Sequence, residues 1–226
     1  MSHQENITRI RAVNNALGNL KEAVVFVGGA TVSLYAERRT EDVRPTDDID
    51  VIIELWAYKD YSVIDERLRN LGFVNDQESG VICRYTINGI IVDVMPTSKE
   101  TLGFSNRWYP TGFANSIVHD IGEDKIRIFK PSYFIASKLE AFKSRGSNDG
   151  RTSTDFEDII FVLENNSSVW EEMENAETEL KQYLKSTFQI LINNQHFEEW
   201  VDAHAGYSVN PATQYILERL KEFTNS

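Results

Sequence analysis

Asp48 and Asp50 stand one residue apart in the run Arg44-Pro-Thr-Asp-Asp-Ile-Asp-Val-Ile-Ile, a short distance after a Gly28-Gly29 pair that closes the apolar stretch Val24-Val-Phe-Val. Alternate side chains of a strand project from one face, so two carboxylates at this spacing point together. Carboxylates are the hard oxygen ligands that magnesium takes while leaving room for substrate phosphates. A diglycine after a strand commonly marks a tight turn. A helix opening just beyond it turns unsatisfied N–H groups and a positive dipole end toward anions. The chemistry these residues suit is metal-assisted work on a phosphate.

The elements that must position them follow from periodicity. Ile7, Ile10, Val13, Leu17 and Leu20 share one helical face, which predicts a first helix ending near Leu20. Val24 to Val27 reads as a short buried strand and Thr31 to Glu37 as a helix after the glycines. A polar loop from Glu37 to Thr46 leads into a second strand, Ile49 to Leu55, whose apolar run is that of a strand covered on both faces. Asp60 to Leu71 is expected to be helical, with Val63, Ile64, Leu68 and Leu71 on one side and Gly72 as its cap. Val81 to Ile87, the turn Asn88-Gly89 and Ile90 to Met95 form a hairpin signal. Asp93 is a lone charge in that apolar second arm, costly there unless paired or metal-bound. The competing expectation is a solvent-facing aspartate on an edge strand.

Trp108, Tyr109, Pro110 and Phe113 fall in an irregular stretch, Phe104 to Ser116, suited to stacking a base and more commonly to plugging a core edge, which is the expectation here. Two short strands, Ile117 to Ile121 and Ile126 to Phe129, come next. Pro131 opens a helix reaching about Arg145, on which Lys138 and Arg145, two turns apart, share a face. Thr154-Asp-Phe-Glu has the capping-box pattern and opens a helix through Leu163. Asp155 and Asp158 lie on its first turn, where acids favour the helix dipole. Beyond Asn166 the chain is acidic and helical, with a final helix starting at Asn210-Pro211 and presenting Leu217, Leu220 and Phe223 on one side.

At 226 residues and 41% hydrophobic the chain can bury a sizeable core. A single cysteine, Cys83, excludes an internal disulfide framework and a cysteine-rich zinc site. No apolar run approaches the ~20 residues of a membrane span. The opening Met1-Ser-His-Gln-Glu-Asn lacks the basic and apolar regions of a signal peptide, so no membrane partner and a cytoplasmic location are expected. The net charge of −12 argues against tight nonspecific nucleic-acid binding. It is unevenly spread: Glu123 to Arg151 sums to +3, enough for a triphosphate or one RNA end, and Thr152 to the end sums to −10.

Taken in order, Val27-Gly-Gly-Ala-Thr-Val-Ser-Leu-Tyr, Arg44-Pro-Thr-Asp-Asp-Ile-Asp, Lys138 to Arg145 and Asp155 to Asp158 resemble the nucleotidyltransferase superfamily of DNA polymerase β type. Within it the likeness is to bacterial minimal nucleotidyltransferases and AbiEii-type toxins of abortive-infection and toxin–antitoxin systems. The resemblance spans roughly the first three-quarters of the chain. It implies an α+β fold, a mixed sheet flanked by helices over residues 1–129, with a helical C-terminal region over 130–226 completing the cleft. It also implies an NTP-dependent, Mg²⁺-dependent transfer of a nucleoside monophosphate to a hydroxyl. Asp48, Asp50 and Asp93 would hold two metals, and Asp93 would activate the acceptor. Gly28, Gly29 and Thr31 would contact the phosphates, Lys138 the triphosphate, with Asp155 as its partner and Arg145 and Asp158 beside them. Many members carry Gly-Ser where this chain has Gly28-Gly29, so a serine hydroxyl contact is missing. The implied acceptor is tRNA or a protein in a toxin-like or phage-defence role, with an antitoxin as partner. The alternatives are an aminoglycoside-type small-molecule enzyme, a nuclease or phosphohydrolase using water, and a non-catalytic nucleotide-binding module on the same fold.

Overall fold

The structure, a computed structural model, describes residues 2–37, 43–55, 58–145, 149–206 and 212–226. The chain divides into two compact units, one of residues 1–34 and 40–130, the other of residues 35–39 and 131–226. The first is built on a seven-stranded mixed sheet. Its strands are β1 (Val24–Val27), β2 (Asp48–Ile53), β3 (Val74–Asn75), β4 (Arg84–Ile87), β5 (Ile90–Pro96), β6 (Ile117–Ile121) and β7 (Asp124–Ile128), in the spatial order β3-β4-β5-β2-β1-β7-β6. β1 runs antiparallel to β2 and parallel to β7, and β2 runs parallel to β5. The four central strands carry the core: Val25, Ile49, Val51, Ile52, Tyr85 and Val92 are all fully buried. Central position explains the unbroken apolar run of β1 and that of β2 past Asp50, because a strand segment flanked on both edges and covered on both faces has no side to give to water.

The helices of this unit are α1 (Ser2–Ala16), α2 (Tyr58–Asn70), α3 (Lys99–Leu102) and α4 (Tyr109–Ala114), of which α1 packs on β2 and β5 and α4 on β2. Several sequence expectations shift here. α1 ends at Ala16, before Leu20, because Gly18 takes a positive φ of 52° and the chain continues as a 3-10 turn, Gly18–Ala23, that still buries Leu20. The segment after the glycines is a 3-10 helix, Gly29–Tyr35, in place of the α-helix expected over Thr31 to Glu37. Of the side expected to be apolar, Ile64 and Leu68 are buried, as is Tyr61, whereas Val63 of α2 and Leu71 just after it face water. The aromatic stretch is partly helical, as α4, and Trp108 and Phe113 are buried against the core, which is the plug expected of them. Residues 38–42, half of the loop expected over Glu37 to Thr46, lie outside the described residues.

The second unit is helical: α5 (Pro131–Ser144), α6 (Thr154–Asn165), α7 (Val169–Glu174), α8 (Thr178–Ile192), α9 (Phe197–His204) and α10 (Ala212–Asn225). Phe156 of α6 is its hub, with Phe142 at 5.4 Å and Trp200 and Phe197 each at 6.0 Å between ring centroids. The cap of α6 is Ser153, whose hydroxyl accepts from the Phe156 N–H, one residue before the Thr154 expected from the capping box. Asn210-Pro211, expected to start α10, falls outside the described residues, while Leu217, Leu220 and Phe223 do share its buried side. Among the described residues no helix is long and apolar enough to cross a membrane.

One polar network lies inside the first unit. The Tyr61 hydroxyl sits 3.3 Å from that of Tyr85, which donates to Asp65 Oδ1 at 2.9 Å. Burial pushes Tyr61 from its ordinary value of 10.0 up to about 12 and moves Tyr85 in the same direction. A folded value above the unfolded one means a contribution that is fully present below the unfolded pKa and lost as pH rises toward the folded one. Thermal stability is therefore expected to fall between pH 10 and 12 as Tyr61 ionises more readily in the unfolded chain. Calorimetry across that range checks it, and Tyr61→Phe should flatten the decline.

Candidate functional site

The register of three strands assembles the site. β2 and β5 are parallel neighbours with Asp50 opposite Asp93 and Asp48 opposite Ile91, so Asp48, Asp50 and Asp93 lie on one face of the sheet. β5 lies between β4 and β2, and Asp93 is 8% exposed, which disposes of the solvent-facing edge position. On the other side of Asp50, Val27 is its antiparallel partner, and Gly28 follows with a φ of 73°. A β-carbon on Gly28 would overlap the Asp50 carboxylate. Glycine is required here twice over, for the left-handed backbone and for the space that Asp50 fills.

Opposite Asp93 across the hairpin is Arg84 of β4. Its Nε donates to Asp93 Oδ1 at 2.8 Å and its Nη2 to Asp93 Oδ2 at 2.7 Å, a two-toothed pair. The same Nη2 lies 3.3 Å from Asp48 Oδ2, so one guanidinium bridges two of the three carboxylates. Hydrogen bonding to Asp93, reinforced by the charges of Asp93 and Asp48, holds Arg84 protonated well above the ordinary range. The neighbouring Cys83 thiol is pushed up to about 12, chiefly by burial and then by the Asp93 charge.

Two further arginines fix the approach to β2. Arg9 of α1 donates through Nη2 to the Asp47 carbonyl at 2.6 Å and through Nη1 to the Thr46 carbonyl, and Thr46 Oγ1 donates to the buried Asn6 at 3.3 Å. α1 thus holds the backbone immediately ahead of Asp48. Arg44 lays its guanidinium where a β-carbon of Gly29 would stand, beside the turn. Thr31, expected to offer its hydroxyl to phosphate, is fully buried and donates at 2.9 Å to the Gly28 carbonyl, so it closes the turn from inside.

Asp48, Asp50 and Asp93 would offer a metal carboxylate oxygens, the hard donors that magnesium takes. The donor set therefore fits, with Asp50 and Asp93 directly opposed and Asp48 beside them. Asp48 and Asp93 are turned toward Arg84, and among the described residues no three acidic, histidine or cysteine side chains are gathered closely enough to form a ready metal cage. Arg9, Arg44 and Arg84 were missed by pattern reading. A signal for Arg84 did exist: the two-residue turn Asn88-Gly89 pairs Ile87 with Ile90 and, counting outward, Arg84 with Asp93.

The second expected constellation forms within the helical unit. Lys138 Nζ lies 3.1 Å from Asp155 Oδ1 and 2.6 Å from Asp158 Oδ2, and Arg145 Nε lies 3.3 Å from Asp155 Oδ2. Lys138, Asp155 and Asp158 are all buried, whereas Arg145 is 72% exposed at its side chain. Several other cations of the Glu123 to Arg151 stretch have local partners. Arg127 donates to Ser116 Oγ and the Phe113 carbonyl, Lys143 to Tyr183 and Thr187, and Arg151 to Asp149 and Glu199. Removing the buried ammonium strands two carboxylates, so Lys138→Met is expected to cost about 3–5 kcal/mol of stability in urea unfolding. Arg145→Gln, at the water-facing end, should cost less than about 1 kcal/mol in the same measurement.

No protein-family model matches the chain, and no curated protein matches it in sequence. Among solved structures it is similar to an antigenic nucleotidyltransferase-like protein from Paracoccidioides brasiliensis, at a TM-score of 0.55 and 19% identity, over 90% of this chain and 94% of that one. The likeness shows that the two share a fold, a mixed sheet with flanking helices and a helical C-terminal region.

Proposed function

We propose that the protein is a nucleotidyltransferase that moves a nucleoside monophosphate from a nucleoside triphosphate to a hydroxyl acceptor. The observation that carries this reading is the line of Asp48, Asp50 and Asp93 on one face of β2 and β5, set against the Gly28 turn in a fold of nucleotidyltransferase-like type. Asp48, Asp50 and Asp93 would hold magnesium, which when bound supplies charge stabilisation at the attacking and leaving oxygens. The turn at Gly28 and Gly29 brings backbone close to the triphosphate, and Arg44 supplies a cation beside it. Asp93 accepts the proton of the attacking hydroxyl. The hydroxyl oxygen then bonds to the α-phosphorus in line with the departing oxygen, and pyrophosphate leaves with the electron pair of the broken bond.

For the acceptor we infer a hydroxyl of tRNA or of a protein, in a toxin-like or phage-defence role answered by an antitoxin, on the strength of the motif resemblance. A cytoplasmic location, where triphosphates and magnesium are plentiful, goes with it. Arg84 supports a second reading: a guanidinium already bridging Asp48 and Asp93 also suits a nucleotide-binding module without catalysis.

The test is incubation with each α-labelled nucleoside triphosphate, Mg²⁺ and total bacterial tRNA, following label into RNA, protein and small-molecule fractions. Native protein is expected to transfer label, and Asp50→Asn to lower the rate by a factor on the order of 10² or more. Nucleotide binding without transfer would establish the second reading instead.

A further inference from the structure

Arg84 has no step in the transfer chemistry, yet it contacts two of the three carboxylates. Resting on the nucleotidyltransferase reading, we propose that Arg84 is a resident counter-ion of the carboxylate face, which gives up Asp48 when a divalent cation binds and keeps its two-toothed hold on Asp93. It is a positioning residue that sets how much cation the site needs.

The asymmetry of its contacts carries the argument. Toward Asp93 the guanidinium makes two short bonds, 2.8 and 2.7 Å, to a carboxylate whose side chain is 11% exposed. Its contact with Asp48 is single, longer at 3.3 Å, and reaches a side chain 36% exposed. Paired charge-assisted bonds out of water hold far better than one long contact near it. The bridge therefore opens at Asp48, the more exposed of the two carboxylates that Arg84 holds and the one beside Asp50 on β2. Arginine stays protonated at any working pH, so proton uptake does not relieve the bridge. Cation concentration does, since a cation competes for Asp48 on Coulombic terms. The residue must also be arginine: lysine keeps the charge as a point but cannot span two carboxylates with a fixed fork.

The experiment is titration of the full chain, without nucleotide, with Mn²⁺, reading free ion by electron paramagnetic resonance and heat by calorimetry. Arg84→Gln is expected to bind Mn²⁺ about tenfold tighter than native protein, since a competing positive charge within a few ångströms is gone. Arg84→Lys should fall between the two, and Asp50→Asn should remove the binding from each. If Arg84→Gln does not fold, Arg84→Lys alone decides, and it must bind tighter than native. Asp50-dependent binding that is equal or weaker in the Arg84 variants would overturn the counter-ion role and leave the metal-site reading standing. Absence of Asp50-dependent binding in native and variant chains alike would overturn both.

Discussion

Like charges gathered on one face of a half-buried sheet have to be matched, and Asp48, Asp50 and Asp93 impose that condition on everything around them. Two carboxylates directly opposed on neighbouring strands repel each other at a cost to the fold. The surrounding choices answer that cost. Gly28 leaves room for the Asp50 carboxylate, Arg84 forks onto Asp93 and touches Asp48, and Arg9 ties down the backbone that delivers Asp48. The apolar residues of the same strands point the other way or pack beneath, so the charged row sits on a rigid platform rather than on a loop. A rigid platform is what a site needs when it must hold charges closer than they would choose.

How much of this could be read from the chain depended on whether the information was local. Asp48 and Asp50 share a face by the period of a strand, and the Asn88-Gly89 turn announces its hairpin, so both stood in the sequence. That β5 lies against β2, placing Asp93 opposite Asp50, is a long-range pairing and came from resemblance alone. Arg9 acts on a backbone 37 residues away, a relation that no local pattern carries. Local reading also failed where two local signals conflict. Tyr109-Pro-Thr-Gly-Phe-Ala contains the residues of a turn, yet proline is tolerated at the start of a helix, and the segment forms α4. After Gly28 the apolar run suggested an α-helix, but the tight closure through Thr31 favours the narrower 3-10 winding.

The helical unit shows the complementary lesson. Lys138, Asp155 and Asp158 were placed on the right helices by phase, and their burial was not visible, because lysine and aspartate are usually at the surface. α5 is buried almost all round from Pro131 to Leu139, so a lysine within it needs partners, and α6 provides both. The cluster joins the same two helices as the contact of Phe142 with Phe156. Polar and apolar devices thus hold one pair of helices at two heights.

The hairpin turn has a further implication for how this chain can vary. Asn88 and Gly89 both take positive φ, 51° and 77°, and a side chain on Gly89 would meet open space. Their identities are set by backbone conformation alone, but their number is set by Arg84 and Asp93. Strand side chains alternate, so one residue inserted or removed would shift the pairing and turn Arg84 to the opposite face of the sheet. Homologues of this protein should therefore differ in which small residues make the turn and agree in its length, even though the turn itself lies three residue pairs from the charges it aligns.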